Sequence, residues 1–251
     1  MEKPKMHADR KGITWEHLYK IIYTEDSWNF WGLFDFDNRV NGCVTIKAES
    51  EIDWKADNKK YRKFVVKHGP HTRYKGFTIS GDADFGNLKK YSQEANVKMH
   101  SFPNFSIMPC TGGMNCTKGF KYRDKFHVFI YVLSGYYKKH TIEQQQEYIK
   151  SNLLRTTRNM SAEIKEDKLD TLHQYLNFFA DIYDYCEKIH LLSEKEGRTF
   201  VDKLIKVGEA NDPDMEAYYK LAEEYWEIRG QAILKKAPQL EEYINKNIND
   251  S

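Results

Sequence analysis

The chain has 251 residues, of which 40% are hydrophobic and 30% charged, and its formal net charge is +2. This composition is typical of a folded globular protein and excludes a largely disordered chain. Because the sequence contains no run of about 20 apolar residues and no apolar leader, we expect neither a membrane helix nor a signal peptide. The four cysteines form no CxxC pair, which favours a cytoplasmic protein with reduced thiols.

Charge is distributed unevenly along the chain. Residues 1–140 contain 24 lysines and arginines against 15 aspartates and glutamates, a net charge of +9. Residues 141–251 contain 15 against 22, a net charge of −7. The two parts either recruit different partners or attract each other within one fold. We predict a single domain over 1–251, with a subdivision at residue 140 into a basic mixed α/β part and an acidic helical part.

The first elements are predicted to be a helix followed by two strands. Residues 14–23 carry apolar side chains at helical spacing, with Thr14 as an N-cap. Alternation around Phe34 and Phe36 then predicts a strand. The Asn-Gly pair within residues 38–42 predicts a hairpin whose loop is longer than two residues.

The middle of the chain is harder to assign. Residues 55–67 form a basic segment of no clear type, and a turn at 68–71 leads into a strand predicted over 74–80. Residues 122–140 carry apolar side chains at spacings of three and four, which predicts an amphipathic helix.

From residue 141 onward the pattern is helical. Thr141 is predicted to cap one helix, and residues 165–192 carry one long apolar stripe. A further helix follows Pro213 and is limited by Pro238, after which a short helix is predicted. The predicted fold class is therefore α+β, with short early β-strands in a hairpin and a predominantly α-helical second half packed on them.

Residues 104–119, NFSIMPCTGGMNCTKG, combine three glycines with a lysine. A phosphate-binding loop of the Gly-x4-Gly-Lys-Ser/Thr type is excluded, because Gly119 follows Lys118. We predict a structural turn, with an anion-binding backbone nest beside Lys118 as the alternative. Cys110 and Cys116 lack the second close pair that a structural zinc site needs, so no metal site and no cofactor are predicted.

Three runs within residues 76–138 together resemble an uncharacterised bacterial family. They are GFTISGDADFGNL (76–88), NFSIMPCTGGMNCTKG (104–119) and YRDKFHVFIYVLSGYYK (122–138). The family has a strand that ends in a Ser-Asp-like turn, then an MP-x-TGG-N or FP-ING-x-G loop, then a DRF helix. This chain has Gly81 in place of the serine and Arg-Asp-Lys at 123–125. The resemblance implies a bacterial, cytosolic protein in a prophage or mobile-element setting, and it carries no activity over to this chain.

Two sets of residues are weak candidates for catalysis. Arg123 and His127 lie four residues apart, on one face of the predicted helix, where an arginine stabilises a phosphorane and a histidine moves a proton. Asp82 and Asp84 would bind the metal of a nuclease. The favoured readings are surface polar residues for the first pair and solvated turn residues for the second.

A basic face is predicted to bind nucleic acid. Its cations neutralise phosphates, and rings interleaved with them (Trp54, Tyr61, Phe64 and Tyr74) stack on bases. A solvated lysine-rich face is the alternative. The predicted contacts are Lys59, Lys60, Arg62, Lys63, Arg73, Lys118, Lys121 and Arg123.

The sequence thus predicts a cytoplasmic, bacterial or phage-related protein that binds nucleic acid. The alternative is a protein-binding inhibitor or adaptor that acts through the acidic helical half. A phosphodiester-cleaving enzyme ranks third, because no complete catalytic constellation is visible. The sequence predicts no membrane partner and leaves the oligomeric state unspecified.

Overall fold

The computed structural model describes residues 33–40, 43–48, 61, 64, 71–75, 102–109, 125–154, 161–210 and 215–241. Six α-helices lie in these ranges: α1 Phe126–Tyr137, α2 Ile142–Tyr148, α3 Ala162–Leu176, α4 Ile182–His190, α5 Glu194–Ala210 and α6 Met215–Lys236. α2 continues into a π-helical turn, Ile149–Leu153, and two 3₁₀ turns are Phe102–Asn104 and Pro238–Leu240. No helix in the described ranges is long and apolar enough to cross a membrane.

Four short strands are described: β1 Phe34–Val40, β2 Cys43–Ile46, β3 His71–Lys75 and β4 Phe105–Pro109. They pair antiparallel in sequence order. Val40 pairs with Cys43, so β1 and β2 are joined by two residues, a shorter connection than predicted. β2 and β3 share a single register pair, Val44 with His71, whereas β3 and β4 pair along their whole length.

The core lies mainly between helices. α1 is buried on nearly every side, and it packs most extensively against α5. At this crossing Gly208 of α5 lies against the backbone carbonyl of His127 and the Cβ of Tyr131, so a methyl group there would collide with α1. The absence of a side chain at residue 208 is what lets the two helices approach this closely.

The predicted α+β class is wrong. The described part of the chain is mostly helical, because its strands have four to seven residues whereas its helices reach 22. The helices bury their apolar faces chiefly against one another and not over a layer of strands. α1, which we assigned to the mixed first part, lies within this helical body.

Helix ends follow local capping chemistry. The predicted cap of α2 is confirmed, since the Thr141 hydroxyl accepts a hydrogen bond from the Gln144 amide at 3.2 Å. α6 ends at Lys236, before Pro238, as predicted. The stripe predicted over 165–192 is instead divided into α3 and α4, because Asp181 caps a new helix by accepting from the Asp184 amide at 2.8 Å.

Two other predictions need correction. The run 104–119 does not begin as a loop, since Asn104 closes a 3₁₀ turn and Phe105–Pro109 is a strand. The strand predicted over 74–80 begins earlier, at His71, which we placed in a turn. Residues 76–101, residues 110–124 and the helix predicted over 14–23 lie outside the described residues.

Candidate functional site

A buried polar cluster joins three elements around the C-terminus of α4. The helix ends at His190, whose imidazole has no exposed surface. Its Nδ1 lies 3.0 Å from the Ser106 hydroxyl of β4 and 3.2 Å from the Tyr225 hydroxyl of α6. The edge of the Phe126 ring of α1 closes the site, with ring centroids 4.8 Å apart.

Arg229 of α6 completes the cluster from the other side. Its guanidinium is fully buried, and it donates from Nε to the His190 carbonyl at 2.9 Å and from Nη1 to the Pro103 carbonyl at 2.6 Å. Hydrogen bonds from a charged donor are stronger than neutral ones. One side chain therefore ties both α4 and the Phe102–Asn104 turn to α6.

Burial and the nearby Arg229 guanidinium hold the pKa of His190 well below its usual range. The imidazole is consequently neutral at physiological pH. A serine hydroxyl beside a neutral imidazole has the chemistry of a nucleophile with its base. Ser106 and His190 are both fully buried, however, so in this structure the pair is closed to a substrate and acts as a structural connection.

A second polar network joins α1, α2 and α3. The Tyr136 hydroxyl donates to Asn177 Oδ1 at 2.9 Å, and His173 Nε2 lies 3.1 Å from the Asn177 amide nitrogen. The same His173 atom lies 3.0 Å from Gln145 Oε1. Burial lowers the pKa of His173, and the charge of Asp170 partly opposes this effect. The network links the C-terminal ends of α1 and α3 to the middle of α2.

The candidate functional surface is a row of carboxylates on α3. Glu163, Glu166, Asp167 and Asp170 stand at positions i, i+3, i+4 and i+7 of this helix, which places them within about 100° of arc. We call them the acidic face of α3. The first three side chains are exposed, and Asp170 is half-buried and accepts a hydrogen bond from Gln174 Nε2 at 2.6 Å.

The N-terminal half of α3 stands clear of the core. Every residue from 161 to 167 is exposed, so burial of α3 begins only towards Leu169. Ile164 is 50% exposed and lies about 60° around the helix from Asp167, the nearest carboxylate of the acidic face. It is one of two large hydrophobic side chains that are exposed in the described part of the chain, the other being Ile142 at the start of α2. A single exposed isoleucine is ordinary on a protein surface, so the carboxylates are the distinctive feature of this half-helix.

Of the four predicted catalytic residues, the structure describes only His127. His127 is 2% exposed and packs edge-on against the Tyr218 ring at 5.3 Å between centroids. Our preferred interpretation of this histidine as a surface residue is therefore wrong, and its burial also closes it to a phosphodiester. Arg123, Asp82 and Asp84 lie outside the described residues.

Two of the four rings that were predicted to stack on bases are buried in the structure. Tyr61 and Phe64 are buried, and both pack edge-on against Phe178, with centroids 4.9 and 5.1 Å apart. They anchor their segment on the helical body and are not available to stack on bases. Arg73 lies in β3. The remaining predicted contacts lie outside the described residues: Lys59, Lys60, Arg62, Lys63, Lys118, Lys121 and Arg123.

The described ranges contain no metal-binding cluster, and the Cys186 thiol in them is not reactive. No group of three or more histidine, cysteine, aspartate or glutamate side chains there is arranged to hold a metal ion. The Cys186 thiol is fully buried, and burial raises its pKa, so it is not a reactive thiolate.

The acidic face of α3 was not predicted from the sequence. The signal was present in the run EIKEDKLD at 163–170, where carboxylates recur at spacings of three and four while Lys165 and Lys168 fall elsewhere on the helix. The buried cluster around His190 had no comparable signal. It is built from residues as far apart in sequence as Pro103 and Arg229.

Comparison with protein-family models, curated proteins and solved structures finds no match. The resemblance of residues 76–138 to an uncharacterised bacterial family stays a prediction. Of the residues that carry it, the structure describes 104–109 and 125–138.

Proposed function

We propose that this protein is a cytoplasmic adaptor or inhibitor that binds a basic partner protein on the acidic face of α3. The observation that supports the proposal is the row of carboxylates on an exposed half-helix. The net charge of −7 over residues 141–251 extends the same sign of potential over the helical half. Such a field attracts a basic partner and accelerates its association.

The arrangement of charges on α3 itself favours a partner. Each pair of like charges three or four residues apart destabilises a helix by about 0.2–0.5 kcal/mol. Lys165 and Lys168 lie on the side of the helix opposite the acidic face. Cations of a partner would relieve this repulsion, and its apolar side chains would cover Ile164.

The test is a titration with a labelled amphipathic helical peptide rich in lysine and leucine, followed by fluorescence anisotropy. We expect E163K/E166K/D167K to weaken binding at least about tenfold, because the peptide then meets cations. The matched control is E196K/E209K/E227K, which changes net charge equally at exposed positions on α5 and α6. Equal affinities for the two variants would refute the proposal.

Nucleic-acid binding is the second candidate, supported by the net charge of +9 over residues 1–140. It would suit the prophage or mobile-element setting that the family resemblance implies. The test is binding of labelled single- and double-stranded DNA and RNA at low and moderate salt. Salt-sensitive binding that K60A/R62A/K63A abolishes would establish it, whereas no binding at low salt would exclude it.

A further inference from the structure

We propose that His190 is an acid-sensitive latch that holds segment 102–109 against α4 and α6 and releases it when the imidazole becomes protonated. The proposal does not depend on the proposed function. It rests on how this segment is attached and on the groups that surround the ring.

Two polar contacts that hold segment 102–109 on the helices are described. Ser106 reaches the imidazole of His190, and the Pro103 carbonyl accepts from Arg229. Asn104, Phe105 and Ser106 are buried beneath these contacts. Both contacts involve the cluster around His190, so a change of charge there acts on both.

The groups around His190 disfavour a positive charge. The His190 ring packs against Phe126 of α1 and, in its own helix, against Tyr185, whose ring centroid is 5.5 Å away. On the side of α6 it contacts the Tyr225 hydroxyl. The charged group among these neighbours is Arg229, which is itself a cation and hydrogen-bonds to the His190 carbonyl. Protonation would therefore place a second cation beside the guanidinium, out of contact with water.

The hydroxyls alone would tolerate protonation, because Ser106 and Tyr225 are both able to accept a hydrogen bond from an imidazolium. The penalty comes from desolvation and from Arg229, the two causes that lower the pKa of His190. Opening of segment 102–109 lets water reach the ring and removes much of that penalty. The segment is short, so its release costs less than global unfolding.

The direction of the pH dependence follows from the lowered pKa. The open state takes up a proton below about pH 6.5, the ordinary histidine value, whereas the closed state does not. Lower pH therefore favours opening. One proton gives a limiting change of about tenfold in the opening constant for each pH unit below about 6.5.

The experiment is hydrogen–deuterium exchange resolved by peptide, on the full chain at about pH 7.5, 6.5 and 5.5, corrected for intrinsic exchange rates. We expect protection of segment 102–109 to fall by several-fold to about tenfold between about pH 6.5 and 5.5. Protection of the central turns of α6 should stay constant. H190N should abolish the pH dependence, because asparagine does not titrate.

The matched control is H173N, which removes the other buried histidine for which a lowered pKa is described. It should leave the pH dependence of segment 102–109 unchanged. Unchanged protection of this segment in the wild type, or a pH dependence that survives H190N, would overturn the proposal. If H190N does not fold, the wild type and H173N decide: a pH dependence lost in H173N would assign the effect to the wrong histidine.

Discussion

Arg229 makes two buried hydrogen bonds to distant parts of the chain, the His190 and Pro103 carbonyls. Replacement by alanine leaves the His190 and Pro103 carbonyls without this donor in a buried site. We expect R229A to lower the free energy of unfolding by about 2–4 kcal/mol. Urea denaturation measures this loss.

The control for R229A is R198A. Arg198 has a 57% exposed side chain and a long 3.7 Å ion pair with Glu187, so its loss should change stability by no more than about 0.5 kcal/mol. Equal effects of the two substitutions would mean that the buried guanidinium does not hold α4 and the Phe102–Asn104 turn to α6.

At the same scale, periodicity predicted which residues share a face but not which face is buried. Arg123 and His127 were assigned to a surface because both are polar, yet His127 faces α5 and α6. Tyr61 and Phe64 were read as stacking rings because lysines surround them in sequence. Their burial against Phe178 depends on tertiary packing that no local pattern encodes.

At the scale of elements, the close crossing of α1 and α5 depends on Gly208. We expect G208A to lower the free energy of unfolding by about 1–3 kcal/mol, because the added methyl group collides with the His127 carbonyl. Thermal or urea denaturation tests this expectation.

Gly230 provides the matched control for this crossing. A methyl group there meets the Pro103 side chain at an ordinary 3.5 Å from Cγ and 4.0 Å from Cβ. G230A should therefore be neutral, or stabilising by up to about 1 kcal/mol through helix propensity. If G208A were as stable as G230A, the crossing would not be as close as described.

The separation of α3 from α4 depends on the N-cap at Asp181. We expect D181A to cost about 1 kcal/mol of stability through loss of the N-cap, whereas D181N keeps an accepting oxygen and should cost only a few tenths. Denaturation of the two variants side by side measures the difference. An equal cost for both would show that the cap does not stabilise the start of α4.

The start of α2 after Thr141 and the end of α6 before Pro238 were predictable, because capping and proline effects are local. The break at 177–181 was missed for the opposite reason. Apolar residues such as Leu176, Phe179 and Ile182 continue at helical spacing across it, so the periodicity concealed the cap at Asp181.

At the scale of the whole molecule, the fold class could not be predicted from the order of elements. Short strands early in the chain suggested a sheet for the helices to cover, but the helices bury their apolar faces chiefly against one another. What the sequence did indicate is the partition of charge, +9 against −7. The structure adds the position of one exposed row of carboxylates within the acidic part, on α3.

The most direct measurement is the titration of the lysine- and leucine-rich peptide into the wild type, E163K/E166K/D167K and E196K/E209K/E227K, at about 50 and 200 mM salt. We predict that the wild type and the second variant bind alike at low salt, that both weaken as salt rises, and that the α3 variant loses at least about tenfold in affinity. An α3 variant that binds as well as the other two proteins would contradict the assignment of the acidic face of α3 as the binding surface.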